Sequence, residues 1–518
     1  MELHRLTALD AARLLRAGEI SSVELVRALI ARIEAIDGKV RAFVHRFDRQ
    51  ALQEAETADQ ARARGEPQGR LAGLPITVKE SIATEGIDVT LGVHARRGRP
   101  AAQDAAIVTS LRREGAIVIG KTNVSQLLLF HESDNPIWGA TANPWDLTRT
   151  PGGSSGGEAA AIASGMSLFG VGTDIGGSIR VPAAFTGIFG LKPTVDRWAN
   201  AGSGGALAGQ EVVRGQTGPL ARSAGDLALL FSAASGPNLA GLDPAVPPLA
   251  APDPSAVSVE ALRVGVYEDD GFLTPARSVQ RAVREAAALL RAAGVEVVPF
   301  RPPEVEAIVD AYFGALSSDG GQTIDAQLAG EPVAAQLKSL RQIAKLPAPI
   351  RKATAFAMGL KGERRVQRLL EQVREKSVAE YWELAGRRTE LRQRVFAAWR
   401  GAGLDAVLCP AHVTPALRHG DSADFSLGGL PSMLYNFLNF PAVVAPVTRV
   451  RADEATRTQA GDRLERRAAA VEAGSAGLPL GVQLVAPPYR EEIALALAIC
   501  LEDAARGLPD YPRTPVDP

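Results

Sequence analysis

The sequence predicts an α/β fold in which a mainly parallel β-sheet is covered by helices on both faces. Short β-branched or apolar segments alternate with segments of helical periodicity along the chain, which is typical of parallel strands joined by helices. The 518 residues are 46% apolar, so the chain is long enough to bury a large core. The predicted strands are Pro75–Val78, Ala116–Ile119, Ser167–Gly172, Arg263–Tyr267, Val295–Phe300, Ala406–Cys409, Ala442–Val447 and Leu480–Val485.

Two amphipathic helices are predicted near the N-terminus, between Thr7 and Arg41. Apolar residues recur there three and four positions apart, as they do on one face of a helix. Ser21 or Ser22 is the expected N-cap of the second helix, because a serine hydroxyl accepts hydrogen bonds from the free amides of a first turn.

A proline-rich stretch, residues 237–254, separates two halves of the chain. Proline interrupts helices and central strands, so we interpret this stretch as a surface link between two lobes of one core. We expect residues 1–518 to form a single domain. Its parts are N-terminal helices over about 1–65, a core region over about 66–235 and a second lobe over about 260–518 that completes the same sheet.

Composition and charge exclude several kinds of partner. The chain has 57 basic and 58 acidic side chains, so it has no net field that would attract nucleic acid. Its two cysteines, Cys409 and Cys500, lie too far apart in sequence for a zinc or redox motif. We therefore expect no nucleic-acid partner, no metal and no cofactor.

The same features bear on location. The N-terminal residues alternate charged and apolar side chains and lack the apolar run of a signal peptide. The uncharged stretch 425–448 is interrupted by prolines, so no transmembrane helix is expected. Together with the scarcity of cysteine, these features favour a cytoplasmic location.

Two glycine-rich segments each carry a candidate reactive serine. They are PGGSSGGEAA at 151–160 and GTDIGGSIRVPA at 172–183. Glycine lets backbone amides approach a substrate oxygen closely because no Cβ intervenes, and an oxyanion site needs such donors. The first segment leads into a helix-forming run after Glu158, so its amides would lie at a helix N-terminus, where negative charge is stabilised. Taken singly, each segment is also ordinary loop composition.

Lys79, in LPITVKES, is the candidate base. A serine nucleophile needs a general base, and none of the six histidines occurs in a recognisable protease or lipase motif. A lysine accepts a proton only when neutral, which requires burial or nearby positive charge. The apolar residues Leu74, Ile76 and Val78 would carry Lys79 into the interior. The alternative is that Lys79 ends a strand at the surface and pairs with Glu80.

Together these three segments resemble the motifs of the amidase signature family, as do GKTNVSQ, ANPWDLTRTPGG and FGLKPT. The resemblance implies the amidase signature fold, an α/β fold with a large central mixed β-sheet covered by helices on both faces. It also implies cleavage of a carboxamide C–N bond through an acyl-enzyme. In that reaction Ser178 would be the nucleophile, Ser154 the middle serine after a cis peptide bond, and Lys79 the base.

The resemblance implies further roles around these three residues. The backbone amides of Ile175, Gly176, Gly177 and Ser178 would form the oxyanion hole. The supporting residues would be Ser155, Thr173, Asp174 and Arg180, and we expect Asp174 and Arg180 to form a buried charge pair.

Within the family, two stretches are more similar to the fatty acid amide hydrolases: DNPIWGATANPW and MLYNFLNFPAVVAPVTRV. This implies an amidohydrolase that acts on linear amides with a hydrophobic, fatty or aryl, acyl group. Leu127, Leu128, Leu129 and Phe130 would then line an acyl channel, with ordinary core as an equal alternative. Residues 345–361 would contact a membrane peripherally, with a buried helix as the alternative. A homodimer is compatible with these observations.

Departures from the family pattern at Val93, Asp196 and Trp198 indicate unusual loops on the substrate side. Three other functions compete with this interpretation. GAIVIGKT at 115–122 satisfies the phosphate-loop pattern of nucleotide-binding proteins, but the strand predicted between its glycines occupies the place of the loop. An amidotransferase-type subunit that releases ammonia from an amide is the alternative within the family, and a catalytically silent scaffold is the third.

Overall fold

The computed structural model describes residues 2–207, 209–457 and 460–518. Its centre is one β-sheet, to which the described residues contribute eleven strands. The strands are β1 (Phe43–Arg46), β2 (Pro75–Lys79), β3 (Ile117–Thr122), β4 (Phe169–Asp174), β5 (Phe189–Lys192), β6 (Gln216–Ala221), β7 (Arg263–Val266), β8 (Glu296–Pro299), β9 (Ala406–Pro410), β10 (Ala442–Arg449) and β11 (Pro479–Val485). Their order across the sheet is β1-β3-β2-β4-β6-β5-β10-β11-β9-β7-β8.

The sheet is mixed. Strand β2 runs parallel to β3 and β4, and β7 runs parallel to β8 and β9. The pairs β1/β3, β4/β6, β6/β5, β5/β10, β10/β11 and β11/β9 are antiparallel. The mixed sheet implied by the family resemblance is therefore confirmed, whereas the prediction of a mainly parallel sheet is wrong. Alternation of strands and helices does not fix strand direction, and β1, β5 and β6 were not predicted at all.

The helices of the described residues cover both faces of this sheet. They are α1 (Ala8–Ala17), α2 (Ser22–Val40), α3 (Asp48–Ala63), α4 (Ala106–Arg113), α5 (Gly156–Ala163), α6 (Arg180–Thr186), α7 (Ala224–Ala233), α8 (Pro237–Ala240), α9 (Arg277–Ala292), α10 (Val305–Leu316), α11 (Gln322–Gln327), α12 (Ala335–Ala344), α13 (Ala348–Leu360), α14 (Arg364–Gln372), α15 (Val378–Gly401), α16 (Leu430–Phe437), α17 (Arg463–Glu472) and α18 (Glu491–Ala505). Helices α5 and α6 contact each other and the central strands, whereas α7, α9 and α18 form a second contacting group on the sheet.

The two predicted N-terminal helices are α1 and α2. Ser21, rather than Ser22, is the N-cap of α2: its hydroxyl accepts a hydrogen bond from the Glu24 amide, and the Glu24 carboxylate accepts one from the Ser21 amide. This is a capping box, in which two free amides of the first turn are satisfied reciprocally. The proline-rich stretch differs from the prediction in its first residues, because Pro237 begins the one-turn helix α8, where its missing N–H costs no hydrogen bond.

Residues 115–122 do not form a phosphate loop. Helix α4 precedes them, and β3 (Ile117–Thr122) is fully buried between β1 and β2. Gly115 lies at the end of the helix with a positive φ of 86°. Across the described ranges, every helix is too short or too polar to cross a lipid bilayer.

Candidate active site

Lys79 is the last residue of β2, a strand near the middle of one half of the sheet. Its side chain is fully buried. Its Nζ lies 2.7 Å from Ser154 Oγ and 2.8 Å from Thr173 Oγ1, within hydrogen-bond distance of both. The surface alternative for Lys79 is therefore wrong, and the structure brings it together with two of the predicted site residues.

Burial lowers the pKa of Lys79 to about 7, although the carboxylates of Asp174, Glu158 and Glu80 act in the opposite direction. An ammonium group loses its hydration when it is buried, and the neutral amine is favoured in compensation. A substantial fraction of Lys79 is thus neutral near neutral pH, as a general base must be.

Ser154 lies in the loop before α5. The peptide bond between Gly153 and Ser154 is cis. A Cβ on Gly153 would lie 2.3 Å from the carbonyl oxygen of Glu132, so only glycine fits against that backbone. The neighbouring Ser155 joins this loop to the second one: its amide donates to the carbonyl of Ser178, and its hydroxyl donates to the carbonyl of Thr173.

Ser178 lies in the loop between β4 and α6 and lines the same cavity as Ser154. Among the described residues, no hydrogen bond joins the two serine hydroxyls. The structure therefore places Lys79 and Ser154 in direct contact and Ser178 beside them, on the wall of the same cavity. Catalytic hydrogen bonds are often incomplete before substrate binds.

Asp174 and Arg180 form the expected buried pair. Arg180 Nη2 and Nε donate to the two carboxylate oxygens at 3.0 and 3.1 Å, and both side chains are fully buried. Burial acts to raise the pKa of Asp174, but the Arg180 guanidinium outweighs it and holds that pKa well below its usual range. Arg180 also donates to Asn436 and Gln483, which ties the serine loop to α16 and β11.

The carboxylate of Asp174 also organises the predicted oxyanion loop. It accepts hydrogen bonds from the amides of Gly177 at 2.8 Å and Ile179 at 3.1 Å. The amide of Gly177 is therefore already engaged. Within the described chain, the amides of Ile175, Gly176 and Ser178 donate no hydrogen bond, which leaves these three of the four predicted donors available.

Two side chains that the sequence analysis did not identify donate hydrogen bonds to carbonyl groups of this loop. His131 Nε2 donates to the carbonyl of Gly176 at 3.0 Å, and the hydroxyl of Tyr312 donates to the carbonyl of Ile175 at 3.1 Å. Both side chains are buried. By fixing two carbonyls, they orient the peptide groups of the predicted oxyanion loop. Burial lowers the pKa of His131 and so favours the neutral ring; because a carbonyl can only accept, Nε2 is the nitrogen that carries the proton.

The cavity beside the serines has a volume of about 290 Å³. Leu127, Leu128 and Leu129 line this cavity, whereas Phe130 does not and packs with Leu127 in an adjacent apolar cluster. A second, largely apolar cavity of about 150 Å³ shares Leu129 and Leu207 with the first. Its other walls include Tyr312, Phe313, Leu316, Ile324, Leu337 and Met433.

The lining of the first cavity also contains polar and charged residues. Asp196, one of the departures from the family pattern, has a left-handed φ of 67°. Its carboxylate binds Arg214 through two hydrogen bonds of 2.6 and 2.8 Å, and Arg214 lines the cavity. The unusual residue thus places a charge pair beside the cavity that the serines line.

Residues 345–361 include α13, whose apolar side chains are mostly outside the core. Ile350, Phe356 and Leu360 are 54%, 67% and 75% exposed, and Ala355 is the buried residue of the helix. The alternative of a buried helix is therefore wrong. Peripheral membrane contact through this segment stays a prediction.

Comparison with known proteins identifies the family of this chain. The Amidase family matches residues 24–495 of the chain. The chain therefore belongs to the amidase family, and it is an amidase-family hydrolase that acts on amides.

The relatives place it further within that family. Fatty-acid amide hydrolase 1 of Sus scrofa is 38% identical over 434 residues, which cover 83% of this chain and 75% of that protein. A solved structure of fatty acid amide hydrolase superposes with a TM-score of 0.85 at 27% identity, covering 98% of this chain and 86% of that one. A glutamyl-tRNA(Gln) amidotransferase polypeptide of Moorella thermoacetica is 39% identical, but over 60% of this chain and 64% of that protein. The corresponding amidotransferase polypeptide of Synechococcus sp. (strain CC9605) matches 97% of this chain and 97% of that protein, but at 30% identity, so the amidotransferase alternative is the less supported one.

Proposed function

We propose that the protein hydrolyses hydrophobic carboxamides through an acyl-enzyme formed on Ser178, with Ser154 and Lys79 as the proton relay. The observation that carries this proposal is the contact of 2.7 Å between Ser154 Oγ and the amine of a fully buried lysine. A lysine whose pKa lies near 7 can act as a base at neutral pH.

The family resemblance implies the following relay, and the contact between Lys79 Nζ and Ser154 Oγ supports its first step. Neutral Lys79 takes the proton of Ser154 Oγ while Ser154 Oγ takes the proton of Ser178, and Ser178 Oγ forms a bond to the substrate carbonyl carbon. The carbonyl oxygen becomes an oxyanion, which the free amides of Ile175, Gly176 and Ser178 stabilise. The proton returns through Ser154 to the amide nitrogen, the C–N bond breaks and the amine leaves. Water then hydrolyses the acyl ester by the same relay in reverse.

The walls of the two cavities support a hydrophobic acyl group. The lining of the first cavity includes several leucines, and the second cavity is largely apolar and shares Leu129 and Leu207 with the first. Burial of each methylene contributes about 0.8 kcal/mol, so a fatty or aryl acyl group would gain affinity by extending past Leu129. The leaving amine would then face the polar part of the lining, which contains Arg214.

We also propose that residues 1–518 act as one domain. The pairing of β5 with β10 joins strands from before and after residues 237–254 in one continuous sheet. Arg180, beside the nucleophile, is hydrogen-bonded to Gln483 of β11, so the second lobe supports the reacting loop. The homodimer and the cytoplasmic location stay predictions.

Labelling with a fluorophosphonate, which phosphonylates activated serines, tests the proposed function directly. We expect stoichiometric labelling of the wild-type protein at Ser178, loss of labelling in Ser178→Ala, and loss of amide hydrolysis in the same variant. Ser164→Ala is the matched control, because Ser164 is equally buried but bonds the carbonyl of Ala160 in α5. Labelling that persists in Ser178→Ala would contradict the assignment of the nucleophile.

Glu158 provides a test of the lysine as base. Its buried carboxylate accepts hydrogen bonds from Thr77 and Thr122, and burial raises its pKa to about 7. Its negative charge raises the pKa of Lys79. Since activity requires neutral Lys79, kcat/KM should rise with pH through about 7. In Glu158→Gln this acid limb should move to lower pH, by roughly half to one unit.

The control for this shift is Asp270→Asn, which neutralises another buried carboxyl of raised pKa, held in the second lobe by the amide of Phe272. Its acid limb should stay at the wild-type pH. A displacement to higher pH in Glu158→Gln, or equal displacement in both variants, would argue against Lys79 as the titrating base.

A further inference from the structure

Two consecutive leucines of the cavity wall have strained backbone. Leu127 and Leu128 have φ angles of 54° and 62°, in the left-handed region that is sterically unfavourable for residues with a Cβ. Both line the cavity beside Ser154 and Ser178. Such a conformation persists where the surroundings impose it, so neighbouring contacts must hold this wall in place.

Gln126, immediately before the leucines, makes those contacts. Its side chain is fully buried. Nε2 donates to the carbonyls of Gly92 at 3.2 Å and Pro332 at 2.9 Å, and Oε1 accepts from the Ala334 amide at 2.8 Å. Both donors and the acceptor are thus used. The reversed amide would oppose like groups at all three contacts, so the side chain fits in one orientation.

The far side of this connection is α12. Ala334 immediately precedes that helix, and Leu337 in its first turn packs in one apolar cluster with Leu127 and Phe130. Leu337 also lines the second cavity, which shares Leu129 and Leu207 with the first. Gln126 therefore fastens the strained wall of the first cavity to the helix that forms a wall of the second.

We propose that Gln126 is a positioning residue that sets which acyl chain lengths the enzyme accepts. The inference rests on the proposed function, because it takes the two cavities as the acyl site. A short acyl group ends before Leu129 and does not depend on the junction of the cavities. A long acyl group must pass Leu129, beside a wall whose position Gln126 fixes. Loss of the Gln126 contacts should therefore weaken the binding of long acyl groups more than that of short ones.

Two variants break the connection from opposite sides. Gln126→Glu keeps the size of the side chain but replaces its NH2 group, which donates two hydrogen bonds, with a carboxylate oxygen that would face two carbonyl oxygens. Ala334→Pro removes the N–H group that donates a hydrogen bond to Gln126 Oε1. Proline fits this position, because the φ of Ala334 is −55° and proline adopts that angle readily. Gln336→Leu is the control: Gln336 is also buried, but among the described residues its side-chain amide makes one hydrogen bond, of 3.3 Å, to Asp134.

The measurement is kcat/KM for a short-chain and a long-chain primary amide. In Gln126→Glu and Ala334→Pro, the long-chain value should fall about tenfold relative to the short-chain value, chiefly through KM. Gln336→Leu should keep the wild-type ratio. A ratio unchanged in both test variants, or an equal loss at all chain lengths, would overturn the proposal, since a merely structural role predicts the equal loss.

A binding measurement separates this inference from the proposed function. In Ser178→Ala protein, calorimetric titration with short and long straight-chain fatty acids gives a selectivity that needs no turnover. Adding Gln126→Glu should reduce the preference for the long chain by a similar factor. If the wild type hydrolysed no amide while this selectivity still changed, the hydrolase proposal would fail and the role of Gln126 would stand. An unchanged fatty-acid selectivity would overturn it.

Discussion

Lys79→Met is expected to lower kcat by roughly a hundredfold to ten-thousandfold, the range that a general base contributes, with little change in KM. Methionine fills most of the space of the buried lysine chain but cannot accept a proton. The loss should therefore be confined to the transition state, and kcat and kcat/KM should fall together. Steady-state kinetics on one hydrophobic amide, with the residual rate followed across pH, provides the measurement.

Lys121→Met is the matched control. Lys121 lies on the neighbouring strand β3, is equally buried, and has a pKa lowered by burial to about 8, but its Nζ contacts the carbonyl of Asp88 instead of a serine. Its replacement should leave kcat within a small factor of the wild type. Similar losses of kcat in the two variants would mean that buried lysines are needed for folding, and the assignment of Lys79 as the base would be contradicted.

The candidate site was largely accessible from sequence because its parts lie in short, distinctive segments. The apolar residues around Lys79 favoured its burial, and the two glycine-rich segments indicated candidate reactive serines. Each of these inferences needs only local sequence. The same local reasoning excluded the phosphate-loop match at 115–122, since the apolar residues between its glycines form β3.

What the sequence did not reveal depends on contacts between distant segments. His131, Tyr312 and Gln126 each hydrogen-bond to backbone groups of residues remote in the chain. A hydrogen bond from a side chain to a distant carbonyl produces no recognisable pattern in the local sequence. Strands β5 and β6 were missed for a different reason. Their sequences, FGLK and QTGPLA, contain glycine or proline, which weakens the strand signal, and burial in the sheet outweighs that propensity.

Asp174→Ala is expected to reduce both stability and activity strongly. Removing one partner of a buried ion pair leaves an uncompensated charge and costs roughly 3 to 5 kcal/mol of unfolding free energy. The carboxylate also accepts the amides of Gly177 and Ile179, so the serine loop should lose its conformation. Denaturant unfolding monitored by fluorescence measures the first effect, and fluorophosphonate labelling of Ser178 measures the second.

The cost should lie in the unpaired charge rather than in the lost contact. Asp174→Ala combined with Arg180→Met removes both charges, so the double variant should unfold at a higher denaturant concentration than Asp174→Ala alone. Asp325→Ala supplies the contrast, because its partners Arg341 and Lys345 are partly exposed and such a pair contributes less than about 1 kcal/mol. If the double variant were less stable than Asp174→Ala, the remaining hydrogen bonds of Arg180 to Asn436 and Gln483 would be the stronger support of the loop, and the ion pair would lose the role assigned to it.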